Sequence, residues 1–325
     1  MNVPLPRFVQ IEPVGQCNLA CRMCPVVLRD AGGPGKPPAF MAFETFCRLV
    51  DEFAGVRELH LQGLGEPMLH PRFFDMVSYA AARGIEVSTN TNLTAVSERR
   101  AEQCVTSGLA RMHVSLDAAE PAAYEYIRVG SRYARVVRNL ERVMAAKRRL
   151  RAERPQVRLV AVAMRRNLEE LPGLVRLARA HGIEHLSVQH LAHDFTESSL
   201  PPKYAQMRAF VDRESLVDED PARVARWFGA ARELARELGV ELRLPSFSGR
   251  KGCDWPWRGA YVAYSGEAMP CCMVATPDRA NFGNMARDGV APVWHGEPYN
   301  TFRDKLASDS PPDICRGCAV YRGMF

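Results

Sequence analysis

The chain has 325 residues, 47% of them hydrophobic and 25% charged, and carries a net charge of +6. That length allows one large α/β domain with a small appendage, or two modest domains. No stretch is long and apolar enough to cross a bilayer, and the N-terminus lacks the layout of a secretory signal, so the cytoplasm is the expected location and no membrane partner is expected.

Short β-branched or apolar runs alternate with helical patterns along the first 191 residues. In chain order they predict strand Phe8–Glu12, helix Glu44–Phe53, strand Glu58–Gln62, helix Arg72–Arg83, strand Ile85–Thr89 and helix Glu98–Ser107. Strand Met112–Asp117, helix Ala134–Arg149, strand Arg158–Met164, helix Leu168–His181 and strand His185–Leu191 follow. Gly84 and Gly182 stand where a helix C-cap wants glycine. The basic run from Lys147 to Arg154 reads as a solvated helix end rather than a nucleic-acid surface. Six strands alternating with helices imply a parallel sheet, open or rolled into a partial barrel.

The strands alternate, although parallel strands are normally apolar on both faces. Val9, Leu59, Val87, Val114 and Val188 suit a helix-facing side. Gln10, Glu12, His60, Gln62, Ser88, Asn90, His113, Ser115, Asp117, Ser187 and Gln189 then face the other way. Such a polar lumen reads as a site for a polar ligand. Its substrate-contact candidates are Gln10, Glu12, His60, Gln62, His113, Arg165 and Gln189, each able to serve a structural hydrogen bond instead. His190 and His193 read as solvated loop histidines.

Residues 203–239 have helical spacing, Arg243–Gly252 reads as a boundary, and Cys253–Phe325 has little helix signal and many turn residues. A segment this small and loop-rich calls for a staple. Ten cysteines in a cytoplasmic chain argue for metal rather than disulfides. Three lie between 17 and 24 and five between 253 and 318; Cys47 and Cys104, on amphipathic helices, read as core.

Cys17-Asn-Leu-Ala-Cys21-Arg-Met-Cys24 follows the first strand. Three thiolates in one loop wrap one face of a [4Fe–4S] cube and leave its fourth iron without a protein ligand. Tetrahedral zinc wants a fourth ligand, and none is evident nearby. These residues resemble the radical S-adenosylmethionine superfamily. Gly63-Leu64-Gly65-Glu66-Pro67 resembles its glycine–glutamate turn, which meets the methionine amino group through backbone. Ser88, Asn90 and Asn92 resemble its ribose- and carboxylate-binding positions, and Ser115-Leu116-Asp117-Ala118 its fourth-strand signature. Arg128 resembles an arginine recurring after that strand. The resemblance covers residues 7 to 195. It implies a partial (β/α)6 TIM-like barrel, a [4Fe–4S] cluster with S-adenosylmethionine, and a 5′-deoxyadenosyl radical that abstracts hydrogen from substrate. It also implies a reducing partner such as flavodoxin or ferredoxin.

Cys253, the Gly266-to-Cys271 spacing and Cys315-Arg-Gly-Cys318 resemble the shortened auxiliary-cluster module called twitch, a relative of the SPASM domain. No cysteine follows Cys318, so one auxiliary [4Fe–4S] cluster on Cys253, Cys271, Cys315 and Cys318 is expected; a zinc ribbon is the structural alternative. Tyr261–Tyr264 and Ala268–Met269 are expected to form the hairpin between the first two ligands. Neighbouring side chains on an extended segment point apart, so Cys272 is expected to turn away from Cys271, either as a hydrogen donor to substrate or as a buried small residue. The expected division is a barrel over 1–200, a helical linker over 201–245 and the twitch module over 246–325.

Resemblance to twitch-bearing cyclitol dehydrogenases and aminoglycoside epimerases points to a small polar substrate, a sugar, cyclitol or related natural product, with dehydrogenation ahead of epimerisation. Arg165, Gln189 and Cys272 are the residues expected at the reacting substrate. The alternative is a maturase of a ribosomally made peptide. Such enzymes often carry a leader-binding domain ahead of the barrel, and only sixteen residues precede Cys17 here. A cluster-bearing scaffold would need neither the glycine turn nor the polar lumen.

Overall fold

The computed structural model describes residues 3–29, 39–191, 195–245, 252–274 and 276–323. Six strands fall where the alternation placed them: β1 (Phe8–Ile11), β2 (Glu58–Leu61), β3 (Glu86–Thr91), β4 (Arg111–Ser115), β5 (Gln156–Ala163) and β6 (His185–His190). They pair in sequence order, each parallel to the next, with helix between. Three more strands extend the sheet. β7 (Glu241–Arg243) lies parallel to β6, β8 (Gly259–Val262) parallel to β1, and β9 (Ala268–Met269) antiparallel to β8. The result is a partial TIM-like barrel whose sheet order runs β7-β6-β5-β4-β3-β2-β1-β8-β9.

Both flanking segments are thus stitched to the barrel. The end of the expected linker is an edge strand, and the cysteine-rich segment is anchored by β8, aligned from Phe8↔Gly259 to Ile11↔Val262. The expected hairpin forms as β8 and β9, with Tyr261 opposite Met269. Most of the expected boundary, residues 246–251, lies outside the described residues.

Outside the sheet, Phe46 and Leu49 of helix Phe43–Glu52, Phe73 and Val77 of helix Phe73–Ala81, and Leu140 and Val143 of helix Tyr133–Leu150 meet Val9, Leu59, Val87 and Val114 in one buried core. Each such side chain contributes about 1.5–3 kcal/mol on burial. Gly84 and Gly182 end their helices at φ +75° and +68°, in the left-handed region expected of them.

Among the described residues, two helices longer than five residues were not anticipated. Pro121–Ile127 follows β4, and Glu297–Ala307 lies in the segment expected to be mostly turns. Tyr299, Phe302 and Leu306 of the latter are buried, and Phe282 packs on Tyr299 and Phe302 at ring separations of 4.6 and 5.1 Å. The C-terminal segment is therefore held by aromatic packing continuous with the barrel's core, besides its cysteines.

Candidate active site

A cavity of about 810 Å³ is lined by both cysteine sets and by the lumen face of the barrel. Its first end is the loop after β1. Leu19 and Met23 are buried among Ile127, Met164 and Leu191, which fixes the loop by its apolar residues. Ala20 N–H donates to Val129 O (2.9 Å), Arg22 N–H to Ile127 O (3.0 Å) and Cys24 N–H to Cys21 O (3.0 Å). Cys17, Cys21 and Cys24 are free thiols and all line the cavity. Burial pushes the Cys21 thiol up to about 12 and raises Cys17 and Cys24 as well. Such thiols keep their protons until a metal replaces them. Among the described residues no three His, Cys, Asp or Glu side chains converge as ligands of a single ion do, whereas a cubane takes each thiolate on a separate iron. Three thiols of one loop around one cavity fit the cluster.

The glycine turn after β2 is fixed to this loop from below. Glu12, fully buried, accepts from Leu64 N–H (2.8 Å) and Gly65 N–H (3.2 Å), and Arg29 holds it with bonds of 2.8 and 2.9 Å. Glu66 N–H donates to Gln16 O at 2.9 Å. A Cβ on Gly65 would stand 1.9 Å from Val14 O, so only glycine allows this approach. The Glu66 carboxylate is buried and accepts from Met68 N–H (3.1 Å), Thr91 Oγ1 (2.7 Å) and Asn92 N–H (2.7 Å). Burial raises its pKa, and those donors oppose the shift. Asn92 Nδ2 reaches Cys17 Sγ at 3.6 Å, tying the end of β3 to the first cysteine.

Deeper in the lumen, His60 Nδ1 meets Ser88 Oγ (2.8 Å) and His113 Nδ1 meets Asn90 Oδ1 (2.7 Å). The two rings lie 6.0 Å apart. Burial, then the neighbouring imidazole, lowers His60 to about 3; burial, then Arg158 and Arg111, lowers His113 to about 4. Both are neutral at pH 7. Arg128 Nε stands 2.7 Å from the buried Asp117 Oδ2, a charge contact rather than an aligned hydrogen bond.

The other end of the cavity belongs to the C-terminal segment. Gly259 is aligned with Phe8, so Cys253 lies beyond the N-terminal end of that sheet edge, and β9 carries Cys271 and Cys272 back the same way. Cys253, Cys271, Cys272, Cys315 and Cys318 all line the cavity. Cys318 N–H donates to Cys315 O (3.1 Å), bringing the last two thiols into one turn. Residues 272–274 form a turn rather than an extended run. The expected divergence of Cys271 and Cys272 therefore has no strand to produce it, and both line the same cavity as Cys318.

Gln10, His60, Gln62, Gly63, Gly65, Glu66, Ser88, Asn90, Asn92, His113, Ser115, Arg128 and Gln189 all line the cavity. Arg165 does not. β5 ends at Ala163, the chain turns, and Arg165 Nε donates instead to Ser215 O (3.0 Å) and pairs with Glu219 (3.3 Å). Glu12 is absorbed by the glycine turn. His190 is no loop histidine: it ends β6, is buried and lines the cavity, while His193 lies outside the described residues. Cys104 is buried and Cys47 packs against the same core, as expected. The sequence reading missed Arg158, which lines the lumen. Counting back by twos from Val162 on the same strand would have found it.

The Radical SAM superfamily profile matches residues 11–178, and the profile of an iron–sulfur cluster-binding domain, SPASM, matches 253–319. The PqqA peptide cyclase of Xanthomonas campestris pv. campestris is 28% identical over 98% of this chain and 80% of its own. Streptococcus suis SuiB, solved bound to precursor peptide SuiA, superposes with a TM-score of 0.70 at 16% identity, over 99% of this chain and 71% of its own. BtrN in complex with AdoMet and 2-DOIA superposes less closely, with a TM-score of 0.53 at 16% identity over 97% and 93%. The expected sugar or cyclitol substrate is corrected by these findings: the relative aligned along nearly the whole chain is a peptide cyclase.

Proposed function

We propose that this chain, which belongs to the radical SAM superfamily, oxidises a ribosomally made peptide at a residue inserted into its barrel. Its cofactors are a [4Fe–4S] cluster with S-adenosylmethionine, and auxiliary iron–sulfur chemistry in the C-terminal segment. Cys17, Cys21 and Cys24 would hold the first cluster, and four of the five C-terminal thiols, Cys253, Cys271, Cys315 and Cys318, the second. With both bound, the site supplies hydrogen-atom abstraction at one end and an electron acceptor at the other.

The chain's own residues orient and exclude. The Gly63–Gly65 backbone, braced by Glu12, would hold the methionine end of S-adenosylmethionine, and Ser88, Asn90, Asn92 and Ser115 would offer it polar groups. His60 and His113, neutral at pH 7, offer hydrogen bonds without adding charge, and Gln189 supports the substrate from β6. A substrate between two clusters can lose two electrons and two protons without a returned hydrogen. In that reaction Cys272 is a spare thiol rather than a donor.

The observation that carries the peptide reading is the alignment with a peptide cyclase over 98% of the chain. Co-expression with each short open reading frame flanking the gene, followed by intact-peptide mass spectrometry, tests it. A peptide product two mass units lighter than its precursor is expected. Unchanged peptides, together with turnover of a sugar or cyclitol by the reconstituted enzyme, would refute the reading.

A further inference from the structure

We infer that the deep end of the barrel is a carboxylate subsite, in which Arg158 receives an acidic side chain of the substrate. The inference rests on the peptide reading and adds which peptides qualify. Among the described residues, the charged ones lining the cavity are Arg111, Arg128, Arg158, Glu58 and Glu66. Four of them are satisfied within the protein. Arg111 divides between Glu58 (2.9 Å) and Glu86 (2.8 Å), and Arg128 faces Asp117 at 2.7 Å. Glu66 is held by Thr91 and Asn92.

Arg158 differs. Its Nε and Nη2 both donate to the neutral amide oxygen of Gln156, at 3.0 and 2.6 Å, and among the described residues no carboxylate pairs with it. A cavity-lining guanidinium whose Nε–Nη2 edge is held only by a neutral amide takes a carboxylate with two parallel bonds once that amide is displaced. The surroundings favour the same ligand. His113 is aligned with Arg158 on the adjacent strand, and the arginines add to burial in suppressing its protonation.

The carboxylate of S-adenosylmethionine is the other source to consider. Five residues separate Arg158 from Ala163 at the C-terminal end of β5, about 16 Å at the rise of a parallel strand. The Cys17–Cys24 loop and the glycine turn lie at that far end, so the cofactor's carboxylate is held there. The peptide side chain is the occupant we assign.

The test gives reconstituted holoenzyme a library of short randomised peptides and sequences the modified members by mass spectrometry. Wild type should enrich aspartate or glutamate at one fixed offset from the modified residue by about 10- to 100-fold, the range of a charged hydrogen-bonded pair. Arg158→Gln should abolish the enrichment, and Arg158→Lys should retain part of it. Modification by wild type with no acidic preference overturns the subsite alone, as does an undiminished preference in Arg158→Gln. A raised KM for S-adenosylmethionine in Arg158→Gln, with the peptide preference intact, assigns the anion to the cofactor and also overturns it. A wild-type enzyme that modifies no peptide overturns the peptide reading itself, and the subsite falls with it.

Discussion

Replacing Gly65 with alanine should separate cluster assembly from catalysis. The added Cβ would lie 1.9 Å from Val14 O and 2.6 Å from Gln16 O, both main-chain atoms. Ordinary contact begins at 3.4 Å, so one backbone must retreat by about 1.5 Å. Neither is free to do so cheaply: Glu66 N–H is bonded to Gln16 O, and Gly65 N–H to Glu12. Overpacking of this kind costs about 1–3 kcal/mol of stability. A 1 Å misplacement of a positioning group costs about 100-fold in rate. Gly65→Ala should therefore fold and keep its irons, while reductive formation of 5′-deoxyadenosine falls by about 100-fold or more. Anaerobic turnover with dithionite, quantified by liquid chromatography, measures it. A variant cleaving S-adenosylmethionine within about threefold of wild type would refute the reasoning.

Iron analysis tests the two thiol sets: wild type should bind about eight irons and the Cys17→Ala/Cys21→Ala/Cys24→Ala variant about four, at four per cubane. Cys271→Ala should lose the auxiliary irons and Cys272→Ala keep them; the opposite result would exchange their roles. His60 and His113 have folded pKa values of about 3 and 4, below the ordinary 6.5. The unfolded chain takes up protons in that window that the native chain refuses, so stability should fall as pH drops from 6.5 towards 4. Thermal unfolding across that range should show the slope, flattened in His60→Gln/His113→Gln; an unchanged slope in the double variant would show that other groups cause it.

Much of the site was legible because the barrel imposes a period of two. Once Val9 and Leu59 face the helices, Gln10 and His60 must face the lumen, and the structure places them there. The first cysteine set was legible for a similar reason, since three thiols in eight residues leave little choice of geometry. What failed depended on turns. Arg165 was expected in the lumen although the alternation that points Arg158 and Val162 inward puts an odd-numbered neighbour on the other face, and the chain turns after Ala163. Cys271 and Cys272 were read as one extended run, but the chain turns from Cys272 onward. Glu12 has lumen parity yet is consumed by two backbone N–H groups more than fifty residues away, a partnership no local pattern contains. The substrate was misread for a further reason: the sugar or cyclitol reading followed the resemblance to twitch-bearing enzymes, and lumen polarity, which suits a sugar and a peptide residue alike, could not correct it.

Deuterium transfer tests the central claim most directly. Holoenzyme should be reduced with S-adenosylmethionine and a perdeuterated form of the peptide identified by co-expression. The 5′-deoxyadenosine formed should then carry one deuterium, in step with a peptide product that has lost one deuterium and one further hydrogen isotope. Unlabelled 5′-deoxyadenosine, or deuterium arriving only from a labelled sugar or cyclitol, would contradict the account.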